Sequence, residues 1–181
     1  MNTTLEACIA RAFRMSDAVW ARHANPWSVW TRLSVLPLIA LAVWSRVWIG
    51  PWCWLAVAAA LAWTWFNPRV FPVPQPARSW ASRGVFGERV WLARGRVAVP
   101  ARHRLAPNLL SGLALAGLPV LVFGLVQLAV WPTVCGVVLM SVAKLWFVDR
   151  MVWLYDDTCA RDPAYARWME DPGAPAPHGH D

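Results

Sequence analysis

Four apolar stretches dominate the pattern of hydrophobic and polar positions along the chain. Short turns at Gly50-Pro51 and Trp131-Pro132 join them in pairs, so each pair is expected to form a helical hairpin. A helix needs about 20 apolar residues to cross a bilayer, and the second stretch is short for this. The predicted spans are Trp27–Ile49, Trp52–Phe66, Leu109–Val130 and Thr133–Val148. The pattern therefore predicts an all-α fold, an integral membrane four-helix bundle of two hairpins.

Polar segments flank the two hairpins. Residues 1–24 are predicted to form an amphipathic interfacial helix, because Thr3-x-x-Glu6 fits a capping box and apolar positions recur at helical spacing. A helix packed on the protein itself is the alternative. The predicted organisation is this peripheral helix (1–24), a first transmembrane hairpin (25–66), a cytoplasmic basic loop with a second interfacial element (67–107), a second transmembrane hairpin with an extended last helix (108–162), and a disordered tail (163–181).

Composition and charge place the protein in a membrane and orient it. Trp, which favours the membrane interface, occurs 15 times, and 58% of the residues are hydrophobic. A net charge of +7 would suit nucleic acid, but the basic residues cluster beside apolar stretches, so no nucleic-acid partner is predicted. Of 17 Lys and Arg, only Arg46 lies near the two short turns. The positive-inside rule therefore predicts a multi-pass protein of the cytoplasmic (inner) membrane with both termini cytoplasmic.

Candidate chemistry lies where the hairpins meet the cytoplasm. His23 and His103 each precede a hairpin, and three acidic residues are predicted at the same level. Imidazole and carboxylate ligands suit zinc, iron or manganese. One hypothesis is a metal site with His23, His103 and Asp149 as ligands. In this hypothesis the catalytic acids or bases are Glu88, Asp149 and Asp156.

Electrostatic bracing is the alternative use of these charges, because ionisable groups at the edge of the hydrocarbon are costly unless paired. The side chains assigned to structural ion pairs are Arg32, Arg69, Arg83, Arg150 and Asp157, with Glu88, Asp149 and Asp156 as further acidic partners. Bracing predicts that each carboxylate contacts an Arg. Catalysis predicts that His23 and His103 face a shared space, with a carboxylate that no Arg neutralises.

No local motif identifies a reaction or a cofactor. The sequence has no H-x-x-H, E-x-x-H or H-E-x-x-H pattern, no G-x-x-x-x-G-K-[ST] loop, and no C-x-x-C pair among its four cysteines. The cofactor stays open between a divalent metal and a haem or pigment held by Trp-rich walls.

Two functions stay open as well. One is a membrane enzyme with a cytoplasmic-rim site that acts on a lipophilic substrate. The other is a non-catalytic accessory or structural subunit of a larger membrane complex, which could contain pigment or haem. The expected partners are the lipid bilayer and, for the second function, other membrane-protein subunits.

Four short motifs resemble the pattern of a known family. They are Arg22-His23-x-Asn25-Pro26-x-Ser28-x-Trp30, Asn67-Pro68-Arg69-x-Phe71-Pro72, Trp80-x-Ser82-Arg83-x-x-x-Gly87-Glu88 and Trp146-Phe147-x-Asp149-Arg150-Met151-x-Trp153. Together they look like a family of small prokaryotic membrane proteins described only as a domain of unknown function. The resemblance covers residues 20–157 and implies no activity. It implies that the residues at the cytoplasmic rim belong to the family's pattern.

Overall fold

The computed structural model describes residues 15–177, and within this range the regular elements are helices. The predicted N-terminal helix lies outside the described residues up to residue 14. The α-helices are α1 (Asp17–His23), α2 (Pro26–Leu33), α3 (Val35–Trp44), α4 (Arg46–Ile49), α5 (Cys53–Val70), α6 (Trp80–Leu92), α7 (Leu105–Gln127) and α8 (Val130–Arg161). Short 3-10 turns occur at Gly50–Trp52, Ala101–His103 and Pro163–Met169. The all-α prediction is confirmed.

Three helical stretches are long and apolar enough to cross a membrane: Pro26–Val70, Ala101–Gln127 and Val130–Arg161. The first contains both predicted spans of the first hairpin and is interrupted at Gly50, whose φ of +56° favours glycine. Its two ends lie together, because Ser28 Oγ donates a hydrogen bond of 2.8 Å to Asn67 Oδ1. The chain therefore leaves and returns to the same place over this stretch.

The described residues divide into two compact units. We call residues 15–29, 67–104 and 148–177 the polar unit, and residues 30–66 and 105–147 the apolar unit. The apolar unit has no acidic residue, and its three basic residues are Arg32, Arg46 and Lys144. The boundary between the units thus separates the apolar spans from nearly all charge.

Close contacts between α7 and α8 depend on glycine in the apolar unit. Gly117 lies against Met140, and a Cβ on Gly136 would meet the backbone of Leu121 at 2.6 Å. Small residues allow membrane helices to approach in this way. The turn between α7 and α8 falls at Leu128, which has φ of +53°, so Trp131-Pro132 begins α8 instead of forming the turn.

Large apolar side chains cover the outside of the apolar unit. Trp131 is 81% exposed and Trp48 74% exposed. Such a surface is costly in water, whereas lipid tails and the membrane interface accept it. Membrane association follows from this surface and from the three apolar stretches.

Helix α6 forms the core of the polar unit, within the segment that the sequence predicted as a basic loop grazing the interface. Phe86, Val90 and Trp91 on α6 are each 1% exposed. Gly87 packs on the backbone of Met151 in α8, where any Cβ would overlap the Met151 carbonyl group. The helix is buried because Gly87 removes the side chain that would hold it away from α8.

The segment 163–177 packs on the polar unit, although its composition predicted disorder. The carboxylate of Asp162 caps a 3-10 turn by accepting from Ala164 N at 3.0 Å. Trp168 is 1% exposed, and its Nε1 donates to Ala174 O at 3.0 Å. Burial of this aromatic side chain offsets the conformational entropy that is lost when the segment becomes ordered. A Pro- and Gly-rich composition alone could not offset that loss.

Candidate functional site

A buried polar chain lies where the first hairpin begins and ends. Ser28 Oγ donates to Asn67 Oδ1, and its oxygen lies 2.8 Å from His23 Nδ1. Because the single Ser28 hydrogen is used on Asn67, His23 Nδ1 carries the hydrogen that it shares with Ser28. Ser28 and Asn67 are 0% exposed and His23 is 6% exposed. This serine is therefore not activated by its histidine, since it donates to the amide and accepts from the imidazole.

Further hydrogen bonds from residues 22–25 reinforce this chain. Asn25 Nδ2 donates to Pro72 O at 3.0 Å, and Arg22 Nη1 donates to Arg69 O at 2.9 Å. Ser82 on α6 donates to Ala24 O at 2.7 Å. We call residues 22–28, Asn67, Arg69, Pro72 and Ser82 the polar clasp. Its contacts satisfy backbone and side-chain groups that would otherwise be buried unpaired.

The acidic residues of α8 face arginines and a tryptophan. Arg83 Nη1 on α6 donates to both carboxylate oxygens of Asp156, at 3.1 and 2.8 Å. Asp149 accepts from Trp80 Nε1 at 3.3 Å and from Arg150 Nη2 at 2.6 Å. Asp149 and Asp156 are seven residues apart, so they lie on the same face of α8, and this face meets α6. We call Asp149, Asp156 and their partners the ion-paired face.

His103 lies in a separate group of charged residues. Its Nε2 contacts Asp157 Oδ2, and Arg102 Nε donates to the same oxygen at 3.1 Å. The His103 side chain is 11% exposed and the Asp157 side chain 34% exposed. The 3-10 turn Ala101–His103 presents both basic side chains to α8.

The structure separates several candidates that the sequence could not tell apart. His23 belongs to the polar clasp and His103 to the Asp157 group. Glu88 is half-buried on α6, and the backbone carbonyl of Arg69 accepts from Arg22. Arg32 lies in the apolar unit. Within residues 15–177 no group of three or more His, Cys, Asp or Glu side chains is placed to hold a metal ion.

Sequence reasoning about single residues overlooked the residues that organise the clasp. Ser28 and Asn67 are uncharged and carry no spacing signal of their own, although both occur in the short motifs that resemble a known family. Trp80, Gly87 and Met151, which join α6 to α8, occur in the same motifs. Much of the family-like pattern thus falls on residues that hold the polar unit together.

The model of the Family of unknown function (DUF6653) matches residues 4–172, nearly the whole chain. The chain belongs to the DUF6653 family. The resemblance noted over residues 20–157 is thereby confirmed. No curated protein and no solved structure matches the chain. Membership of DUF6653 gives no activity, so a functional argument must come from the contacts themselves.

Proposed function

We propose that this DUF6653 protein is a non-catalytic subunit or accessory protein of the cytoplasmic membrane. The observation that carries the proposal is the ion-paired face. Arg83 neutralises Asp156, Arg150 neutralises Asp149, and Arg102 neutralises Asp157. The Arg83 and Arg102 pairs join α8 to other elements, as bracing requires, whereas the Arg150 pair lies within α8. A general base needs a carboxylate whose oxygens can reach a substrate proton, and these oxygens already accept from guanidinium groups.

The polar clasp supports the same function. His23 is buried, and its Nδ1 forms a hydrogen bond with Ser28. That nitrogen therefore cannot bind a metal without breaking the clasp. The clasp ties the start of the first hairpin to its end through Ser28 and Asn67. His23 and the acidic residues of α8 thus contribute to the packing of the helices.

The proposed topology has four passes with both termini in the cytoplasm. The Pro26–Val70 stretch turns back at Gly50 and therefore crosses twice, and α7 and α8 each cross once. The acid-free apolar unit lies in the bilayer, with Arg46 as its charge near the outer turns. The basic residues of the polar unit then obey the positive-inside rule.

The exposed face of α5 is the surface that a larger complex would use. Leu55, Leu61 and Trp65 on this helix are 63%, 56% and 40% exposed. Between them lie alanines, and small side chains let a neighbouring membrane helix approach closely. A partner helix or lipid covers this face, and only a partner helix makes the protein an accessory subunit.

Metal analysis separates the two functions directly. The protein lacking residues 178–181 should hold far less than one equivalent of zinc, iron or manganese, because removing His178 and His180 removes an adventitious site. Native mass spectrometry of the full chain extracted from its own membranes should in addition show a stable complex. Stoichiometric metal that is lost in both His23→Ala and His103→Ala would overturn the proposal.

The His103–Asp157 contact favours a second candidate function, a rim site acting on a lipophilic substrate. A carboxylate that orients an imidazole is the arrangement used by many general bases. The test is incubation of the protein with a membrane lipid extract, followed by mass spectrometry of the lipids. A product formed by the wild type and absent with His103→Gln would favour this enzyme over the accessory subunit.

A further inference from the structure

The loop between α6 and α7 carries four arginines within eleven residues: Arg94, Arg96, Arg102 and Arg104. No Asp or Glu occurs anywhere from residue 89 to residue 148. Asp157 reaches into the loop from α8 and pairs with Arg102. The loop sequence itself therefore carries a concentrated positive charge.

The loop is ordered by its own backbone. Arg96 N and Val97 N both donate to Ala93 O, at 2.8 and 2.9 Å, which closes one turn. Arg104 N donates to Ala101 O at 3.0 Å and closes a second turn. Two consecutive turns order the backbone that carries the arginines, which lowers the entropic cost of binding.

Three arginines of the loop are exposed, Arg96, Arg102 and Arg104, and of these Arg102 pairs with Asp157. Arg104 Nε donates to Val99 O at 3.1 Å, which leaves its two terminal amino groups pointing away from that bond. Guanidinium groups bind phosphate oxygens in a forked geometry that an ammonium group cannot reproduce. Arg96 and Arg104 are thus presented as phosphate-binding side chains.

The adjoining residues point to a lipid as the source of the phosphate. The apolar stretch Ala101–Gln127, long enough to cross a membrane, begins inside the loop. Leu105, the residue after Arg104, is 68% exposed, and Leu109 one turn later is 62% exposed. A basic segment that continues directly into exposed leucines suits a lipid, whose headgroup binds basic side chains and whose acyl chains accept apolar ones. Nucleic acid would not cover those leucines.

We propose that the loop Ala93–Arg104 binds the headgroup of an anionic phospholipid, with Arg96 and Arg104 contacting the phosphate. The proposal requires that α7 crosses the bilayer, but it is independent of whether the protein is an enzyme or an accessory subunit. Stoichiometric metal would overturn the proposed function and leave lipid binding intact.

The experiment titrates the purified full chain in detergent with phosphatidylglycerol or phosphatidylcholine and measures bound lipid by native mass spectrometry. Phosphatidylglycerol should bind about tenfold more tightly, since each basic side chain near a lipid surface contributes on the order of 1 kcal/mol. The double variant Arg96→Gln/Arg104→Gln should lose this preference. Arg96→Lys/Arg104→Lys, which keeps the charge, should retain most of it, and circular dichroism verifies the helix content of both variants.

A matched control removes the same charge elsewhere in the polar unit. Arg161 and Arg167 are also exposed, and Arg167 Nε donates to a backbone oxygen, Ala164 O, as Arg104 does to Val99. Arg161→Gln/Arg167→Gln should change phosphatidylglycerol binding less than about twofold. Equal losses in both double variants would show a non-specific charge effect and overturn the site. Displacement by equimolar inorganic phosphate, or tighter binding of an RNA oligonucleotide, would overturn a lipid headgroup as the ligand.

Discussion

The Arg46 guanidinium donates through Nη2 to the carbonyl oxygen of Leu125, in the last turn of α7, and to that of Val126 at 3.0 Å. The last carbonyl groups of a helix have no partner within it, and the helix dipole makes them attractive to a cation. The one basic residue near the two short turns is thus bound to the end of α7. Trp44 Nε1 adds a bond of 3.3 Å to Thr133 Oγ1 in the same unit.

Replacing Arg46 by Leu should lower the free energy of unfolding in detergent by about 1–2 kcal/mol, because two carbonyl groups lose a charged donor. Thermal unfolding followed by circular dichroism measures this. Arg46→Lys should fall between wild type and Arg46→Leu, since an ammonium group keeps the charge and loses the fork. An Arg46→Leu variant more stable than wild type would show that keeping this partly buried charge costs more than its bonds to α7 contribute.

Gly87→Ala should destabilise the polar unit by about 3 kcal/mol or prevent its folding, because the new methyl group would overlap the Met151 backbone. Protein yield and proteolysis of the purified variant measure the effect. Gly95→Ala is the matched control, because a Cβ at Gly95 has no atom within 4 Å. Equal stability of the two variants would contradict the close packing of α6 on α8.

Ser28→Ala should lower the free energy of unfolding by about 1–3 kcal/mol, because His23 and Asn67 each lose a buried hydrogen-bond partner. Ser34→Ala is the control. Ser34 is exposed and its Oγ bonds only the nearby Thr31 O, so its removal should change stability by about 0.5 kcal/mol or less. Chemical unfolding in detergent compares the two. If Ser28→Ala destabilised the protein no more than Ser34→Ala does, the polar clasp would not be a stabilising contact.

Hydropathy predicted the fold class because each apolar stretch carries its own signal. The sequence also marked the end of α8, which stops at Arg161 directly before Asp162-Pro163. Residues 163–177 of the predicted disordered tail pack on α6, because Tyr165 and Trp168, which are too few to show in its composition, are almost fully buried. Local composition cannot register a contact that depends on a distant helix.

The contacts of the candidate site residues were likewise not predictable from the local sequence. His23 and His103 both precede a hairpin, and a one-dimensional pattern places them together. Their side chains follow different local bonds, to Ser28 and to Asp157. Arg150, the partner of Asp149, is its neighbour on α8, whereas Arg83, the partner of Asp156, lies on α6, within a segment predicted as a basic loop with an interfacial element. Partner choice is a tertiary property that spacing within one helix does not contain.

The charge exchange of Arg83 and Asp156 tests the bracing role of the acidic residues most directly. Arg83→Asp and Asp156→Arg each place like charges together, so each should unfold more easily, while the double variant restores the pair and recovers most of the loss. The expected coupling free energy is about 0.5–1 kcal/mol, since the pair is only partly buried. The same exchange of Arg78 and Glu170, whose side chains are 65% and 62% exposed, should give a smaller coupling. A coupling near zero for Arg83 and Asp156, with the double variant no more stable than either single one, would contradict the account.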